Sequence, residues 1–506
     1  VKYKKFLALA LACILAFCMG CTGCSDSASP DSSSREENLK PEPSDQTDHL
    51  IYYTIGAPDP DLGLVNDEIN RILKEKINVT IQYNKIPWEE YGQRIAALIN
   101  SGSDFDIMFA SAEVDEGDYI GYAQNGAWLP LDEYLVPGAS GYDMYQAIDK
   151  RFWDGVKVDG KIYGIPTNKE LAVPLWWMYP KELVDKYDID ITKYRTLESL
   201  EPLFQMIQRN EPDYIVFELD KKAHNFFLLD GYDWIIDKDC PLMVKNDDDL
   251  QVVSIFETEY GRDTLDTLHR YYEAGYINND AAVNDNGSLV RDRKTFLKVA
   301  AGGPTSEVAW SNDRGYPVVA QQVTKAYITP NSTCGGIMCV NARTKNAEAC
   351  VQFLNLLNTD PELRNLVQYG IEGEHYTLDE RNKVVLPQER TYTGIQYTQG
   401  NFFLLNLTQA DPDDKWEQFQ DFNEKAVPSS TLGFVADRSE ISDELNLISN
   451  VSQKYWSNLI TGTVDPQTEL PKFIHELKLA GLDKVKEELQ RQLDDFKQSK
   501  SPSENP

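Results

Sequence analysis

The sequence predicts an α/β protein of two lobes, and three observations carry that prediction. Short apolar strands alternate with amphipathic helices from residue 51 to 109, the order that parallel pairing with right-handed crossovers produces. Between its polar ends the chain runs for about 450 residues, too many for one core at the usual size of roughly 100 to 200 residues per domain. Within it, residues 158–181 take a predicted hairpin into a proline and then into an apolar strand with two adjacent tryptophans.

At the start, Lys2, Lys4 and Lys5 precede an apolar run over 6–20. That run is shorter than the roughly 20 residues a membrane-spanning helix needs, so it reads as an export signal. It ends in Met19-Gly20-Cys21 and again in Thr22-Gly23-Cys24, which resemble the lipobox of bacterial lipoproteins, so lipid is expected on Cys21 or Cys24. Residues 1–24 are thus assigned to signal and lipobox. Residues 25–49 hold almost no apolar side chain and cannot offset the entropy of ordering. They form a tether with a reach on the order of 25 to 30 Å. The polar end 499–506 is expected to fray.

A formal charge of −32, from 49 basic and 81 acidic residues, disfavours nucleic acid and anionic substrates and suits an exported protein. Cys240, Cys334, Cys339 and Cys350 remain in the body without zinc-type spacing, too few for a disulfide scaffold. They are expected as buried thiols, with a pair among the last three left open.

Taken in order, 51–55, 79–81 and 105–109 are strands, and 64–76 and 89–100 are helices with apolar residues at steps of three and four. In such sheets ligands sit beyond the carboxyl ends of the strands, which singles out 84–88 and 110–113. Asp159-Gly160 between Val158 and Lys161 predicts a two-residue type I′ hairpin turn. Adjacent side chains of a strand point to opposite faces, so at most one of Trp176 and Trp177 can belong to a given core. Helix 197–210, strand 214–219 and helix 263–274 give a mixed α/β second lobe. Residues 334–342 are a strand, 346–358 a helix, and Asp360 with Pro361 opens the next helix. Asp465-Pro466 starts another. Leu482, Val485, Leu489, Leu493 and Phe496 form the core face of the last.

Several segments in one order carry a resemblance. They are Ser101 to Ser111 with its Asp-hydrophobic strand, Gly126-Ala127-Trp128-Leu129-Pro130-Leu131-Asp132, and the hairpin with Gly164-Ile165-Pro166 before the Trp-Trp strand ending at Tyr179-Pro180-Lys181. Together they resemble bacterial extracellular solute-binding proteins of the maltodextrin-binding type, and 433–496 resembles the C-terminal module of a Gram-positive lipoprotein subgroup of that family. The resemblance implies a type II periplasmic-binding-protein-like fold with the ligand cleft between its lobes. It assigns 50–165 and 326–390 to lobe 1, and 166–325 and 391–498 to lobe 2 with its C-terminal helical module.

No catalytic motif is present: there is no G-x-x-x-x-G-K-[ST], H-E-x-x-H or G-x-S-x-G, and five scattered histidines argue against metal clusters and triads. The loop Asn284-Asp285-Asn286-Gly287 fails the EF-hand pattern, with Ala282 and Arg293 at its first and twelfth ligand positions. Aromatic surface is what remains. A sugar ring offers an apolar C–H face and a rim of hydroxyls, and therefore needs flat aromatic platforms beside convergent polar groups. Trp88 beside Glu89 and Glu90, Trp176 or Trp177 near Asn168 and Glu170, Trp310 beside Asn312, and Tyr397 beside Gln399 and Asn401 fit that need. Trp128, Trp153 and Trp456 are assigned to packing. By resemblance, Ser111 lies in a ligand-contacting loop, Glu113 stands where the family often has a sugar-binding acid, and Glu170 lies near a second one.

The resemblance implies a lipid-anchored receptor on the extracellular face of the cytoplasmic membrane. It would be a monomer without metal or cofactor that passes an oligosaccharide to the membrane subunits of an ABC importer and catalyses nothing. The alternatives are a receptor for a peptide or other polar solute in the same fold and, from another class, a cell-surface carbohydrate-active enzyme.

Overall fold

In the first 60 residues of the folded body, apolar side chains at strand and helix spacing alternate and fold as they alternate. A computed structural model describes residues 47–112, 118–222, 231–236, 239–284 and 293–500. Strand β1 (Asp48–Ile55) pairs in parallel with β2 (Val79–Ile86) and β3 (Ile107–Ala110). Helix α1 (Leu62–Ile77) buries Val65, Ile69, Ile72 and Leu73 at steps of three and four, and ends where Asn78 turns left-handed at φ 53°. Helix α2 (Trp88–Ser101) buries Tyr91, Ile95 and Ile99 and ends at Gly102. Two later segments complete this sheet: Ile337–Val340, antiparallel to β3, and Gly164–Pro166 on the outer edge. Proline is tolerated at that edge because its missing N–H leaves no ladder bond unmade.

The hairpin before the edge strand pairs Lys157–Val158 with Lys161–Ile162, and Asp159 and Gly160 both take positive φ (50° and 78°), as a type I′ turn requires. Past Pro174 the chain enters a second sheet, ordered Val318–Gln322, Leu175–Pro180, Thr295–Ala301, Ile215–Glu218. A three-stranded antiparallel sheet (Tyr232–Trp234, Leu242–Lys245, Val252–Ser254) contributes to the same core. So do the C-terminal helices Ser442–Ile460, Pro466–Leu479 and Leu482–Lys500. Asp465 caps the second of them by accepting from Gln467 N, and the last buries Leu482, Val485, Leu489 and Leu493. The four body cysteines are buried free thiols.

The apolar side chains form two large cores. The first gathers residues from Leu50 to Ala172 and from Ile328 to Val367, and the second residues from Leu175 to Val299 and from Phe434 to Leu493. One stretch differs from expectation. Residues 391–432, expected with the second lobe, send Tyr392, Ala426 and Leu432 into the first core, with Tyr397 and Phe422 packed against it. The chain passes to the second core past Pro174, returns to the first at Tyr327–Ile328, and crosses a third time at Val427–Pro428, which pairs in parallel with that second passage.

Each passage is pinned. In the first, the side chain of Asn423 donates to Lys169 O and accepts from Leu171 N, both at 2.9 Å, and Ser332 Oγ donates to Leu171 O at 2.7 Å. Four residues on, Leu175 N donates to Thr324 Oγ1 at 2.8 Å and Val323 N to Leu175 O at 2.9 Å. Ala172, Val173 and Pro174 are the span between these pins. In the third passage Ser429 N donates to Ile328 O, whereas Ser430 N and Thr431 Oγ1 donate to Asn246 Oδ1 and Asp233 Oδ2 of the second core.

Candidate functional site

The strand order leads to the first wall. Where β2 ends, Pro87 stops the ladder and Trp88 opens α2 with 40% of its surface exposed. Tyr397, on the short turn Gln396–Thr398, lies against it with ring centroids 6.1 Å apart and planes tilted 33°. The buried Phe109 of β3 meets the same tyrosine edge-on at 6.5 Å. One exposed and one half-buried ring thus stand together at the carboxyl ends of β2 and β3. Ser111, one residue past β3, is fully buried and donates to Gly335 O at 3.0 Å. It lines a cavity of about 360 Å³ that Asp118 shares from the first lobe and Trp234, Ile236 and Arg438 from the second.

The second wall follows from strand alternation. Trp177 is fully buried in the second core, which corrects its expected role at the ligand: its face of the strand is the packed one. Trp176 points the other way. Its Nε1 donates to Gly302 O at 2.9 Å and its ring meets the edge of Trp310 at 6.3 Å. Trp310 rides on the helix Ser306–Arg314, and Gly302 lets it come close, since a Cβ there would stand 2.6 Å from Trp310 Cζ2. Gly303 similarly admits Glu170, whose carboxylate pairs with Lys169 Nζ at 2.9 Å.

Trp176 lines a cavity of about 900 Å³ between this wall and the helix Lys415–Lys425. Val308, Phe422 and Pro412 supply apolar lining, and Gln322 and Gln418 supply amides. Its lining acids are Glu307, Asp411 and Asp421; Asp411 pairs with Lys415 at 2.8 Å and Asp421 with Lys425 at 2.6 Å, and Lys325 adds a further cation. Apolar faces and amides beside two paired carboxylates suit a polyhydroxyl ligand.

Other expected residues fall elsewhere. Asn312 is exposed, and of the expected residues only Trp176 lines this cavity; Trp88, Glu170, Trp310, Asn312 and Tyr397 lie outside its lining. Asn401 is buried and committed to structure, a second correction. Its Nδ2 donates to Asn358 O at 3.3 Å, and its Oδ1 accepts from Asn168 Nδ2 at 3.2 Å and Phe403 N at 3.1 Å. Glu113, Cys21, Cys24 and the loop residues 285–287 lie outside the described residues. Trp128 and Trp153 are buried in the first core and Trp456 packs on the second. Sequence reasoning missed Asn423 and Asp233, polar residues of a helix and a strand whose partners are about 250 and 200 residues away.

Two lobes joined by three passages, with an aromatic pair on each and a cavity of about 900 Å³ beside Trp176, have the build of a receptor that holds a small solute in a cleft. The profile of bacterial extracellular solute-binding proteins matches residues 69–371, and the chain belongs to that family. A domain of unknown function (DUF3502) matches residues 430–498. A carbohydrate ABC transporter substrate-binding protein of Streptococcus pneumoniae serotype 4 is 29% identical over 507 residues, covering 99% of each chain. The crystal structure of the N-glycan transport solute binding protein NgtS from Streptococcus pneumoniae is 28% identical, covers 90% of this chain and 100% of its own, and overlaps with a TM-score of 0.82. For NgtS in complex with Man5GlcNAc the identity is again 28%, the coverage 90% and 99%, and the TM-score 0.72.

Proposed function

We propose that this protein is the substrate-binding component of a carbohydrate ABC importer. It captures a neutral oligosaccharide outside the cell and delivers it to the membrane permease. The observation that carries the reading is the pair of aromatic walls, Trp88 with Tyr397 on one core and Trp176 with Trp310 on the other. Sugar rings stack on such faces while amides and carboxylates meet their hydroxyls. The match to NgtS over nearly its whole length supports an N-glycan type of oligosaccharide. The lower TM-score against the Man5GlcNAc complex, at equal identity, supports a movement of the lobes on binding.

Ligand is met by Trp88, Tyr397, Trp176, Trp310, Glu170 and the Ser111–Glu113 loop. The first lobe comprises 50–172 with 328–432, and the second 173–327 with 433–498. Lipid on Cys21 or Cys24 anchors a monomer to the outer face of the membrane through a tether that ends before β1 begins at Asp48. The chain binds without turnover and needs no cofactor, since transport energy comes from the partner ATPase.

Thermal unfolding against mono- and oligosaccharides, peptides and polyamines, with Man5GlcNAc among them, tests this. A ligand at 100 times its Kd adds about 2.7 kcal/mol to a fold that alone binds it. The expected result is a rise with oligosaccharide and no product formed. A rise with peptides alone, or consumption of the sugar, would overturn it.

A further inference from the structure

Beneath Tyr397 the first lobe buries a cation that no carboxylate pairs among the described residues. Arg364, on the helix Pro361–Tyr369, is fully buried, and its Nη2 donates to Gln396 O at 3.1 Å. Its Nε and Nη1 make no hydrogen bond to protein. Burial pushes the guanidinium down to about 10, with four tyrosines around it pulling the other way, so it stays charged at neutral pH. A guanidinium buried this way is a poor stabiliser, and an apolar side chain of similar volume is often neutral or better.

What Arg364 does achieve is a fixed turn. Its Cδ and Nε lie where a Cβ on Gly400 would come within 2.7 and 2.8 Å, and Gly400 has φ +72°. Next to it Gln399 is fully buried, accepting from the Tyr52 hydroxyl at 2.6 Å and donating to the Tyr83 hydroxyl at 3.2 Å. Those two rings stack at 5.2 Å. On the other side the Tyr397 carbonyl lies so close to Gly336 that a Cβ there would stand 2.2 Å from it. The turn is held from below at 396, 399 and 400 and from the side at 397, and the Tyr397 ring is left beside Trp88.

We propose that Arg364 and Gln399 are positioning residues for ligand: they fix the 396–400 turn so that the Tyr397 ring stands preorganised against Trp88. A platform fixed before ligand arrives loses less freedom on binding, so the contact holds sugar more tightly. The inference rests on the reading of Tyr397 and Trp88 as a sugar platform.

The test is a double-mutant cycle with Man5GlcNAc as probe, read as Kd by calorimetry, with a ligand-free readout beside it. Arg364→Met is expected to weaken binding about tenfold in the wild-type background and less than about twofold beside Tyr397→Ala, because both act through one contact. The unfolding midpoint of Arg364→Met should hold or rise, which a merely structural role would not allow. Without ligand, the near-UV circular dichroism that Trp88→Phe removes should also be lost in Arg364→Met and in Gln399→Leu. Equal losses with and without the Tyr397 ring, or an intact Trp88 signal in both variants, would overturn the positioning role. Unchanged affinity in Tyr397→Ala would instead sink the platform reading. If Man5GlcNAc does not bind the wild type, the Trp88 signal alone decides.

Discussion

The side-chain carbonyl of Asn423 accepts the backbone N–H of Leu171 at 2.9 Å, across 252 residues of sequence. With its amide on Lys169 O, this residue substitutes for a neighbouring strand at the point where the first passage leaves the first core. Replacing it by Ala leaves two buried backbone groups unpaired, each costing about 1 to 3 kcal/mol. Urea unfolding of Asn423→Ala should show a loss of at least about 2 kcal/mol, whereas a loss below half that would mean water replaces the amide.

The pins at Leu171 and Leu175 bound the bending span. Amide exchange is expected to be slow at these two residues, whose N–H groups are bonded, and fast at Ala172 and Val173 between them. Uniform protection from 171 to 175 would rule this span out as a hinge. Small-angle scattering with saturating oligosaccharide should then show a smaller radius of gyration.

Trp176 and Trp177 separate binding from stability. Trp177→Ala empties a fully buried site and should cost about 3 to 5 kcal/mol. Trp176→Ala should cost less than half as much while weakening oligosaccharide binding about tenfold, of the order expected for a stacked ring. Denaturant unfolding and titration of both variants check the split, and equal stability losses would contradict it.

Asp233 gives the fold a pH dependence of known sign. Burial raises its pKa, and the hydroxyls of Thr431 and Ser429 oppose that only in part. A carboxyl raised in this way stabilises the fold fully below its unfolded pKa near 4 and ceases to as pH climbs through the folded value. Asp233→Asn keeps an acceptor for Thr431 and removes the buried charge. It should therefore unfold at higher urea than wild type at pH 7, with the gap closing toward pH 4. A variant less stable at pH 7 would refute this.

Much of the fold was legible because its signals are local. The steps of three and four in α1 and in Leu482–Lys500, the caps at Asp360 and Asp465, and the Asp159-Gly160 turn each depend on residues a few positions apart. Strand alternation foretold that Trp176 and Trp177 would part, though not which would be buried, since that depends on a sheet built from residues 215–322. The membership of 391–432 was not legible. It hangs on a two-residue parallel pairing, Tyr327–Ile328 with Val427–Pro428, and on single amides such as Asn423. Asn401 looked like Tyr397's polar companion in sequence, yet its backbone points the amide inward to Asn358 and Asn168.

The first sheet takes its strands from 48–110, 164–166 and 337–340, and the turn that carries Tyr397 comes later still. The first lobe can therefore not mature while the chain is emerging. The N-terminal third must wait as an unfinished sheet, its edge at β3 unpaired, until a strand more than 220 residues downstream arrives. Such distant pairings slow folding. For a member of an extracellular family, this long-range pairing postpones the native state of the first lobe until nearly all of the chain is available.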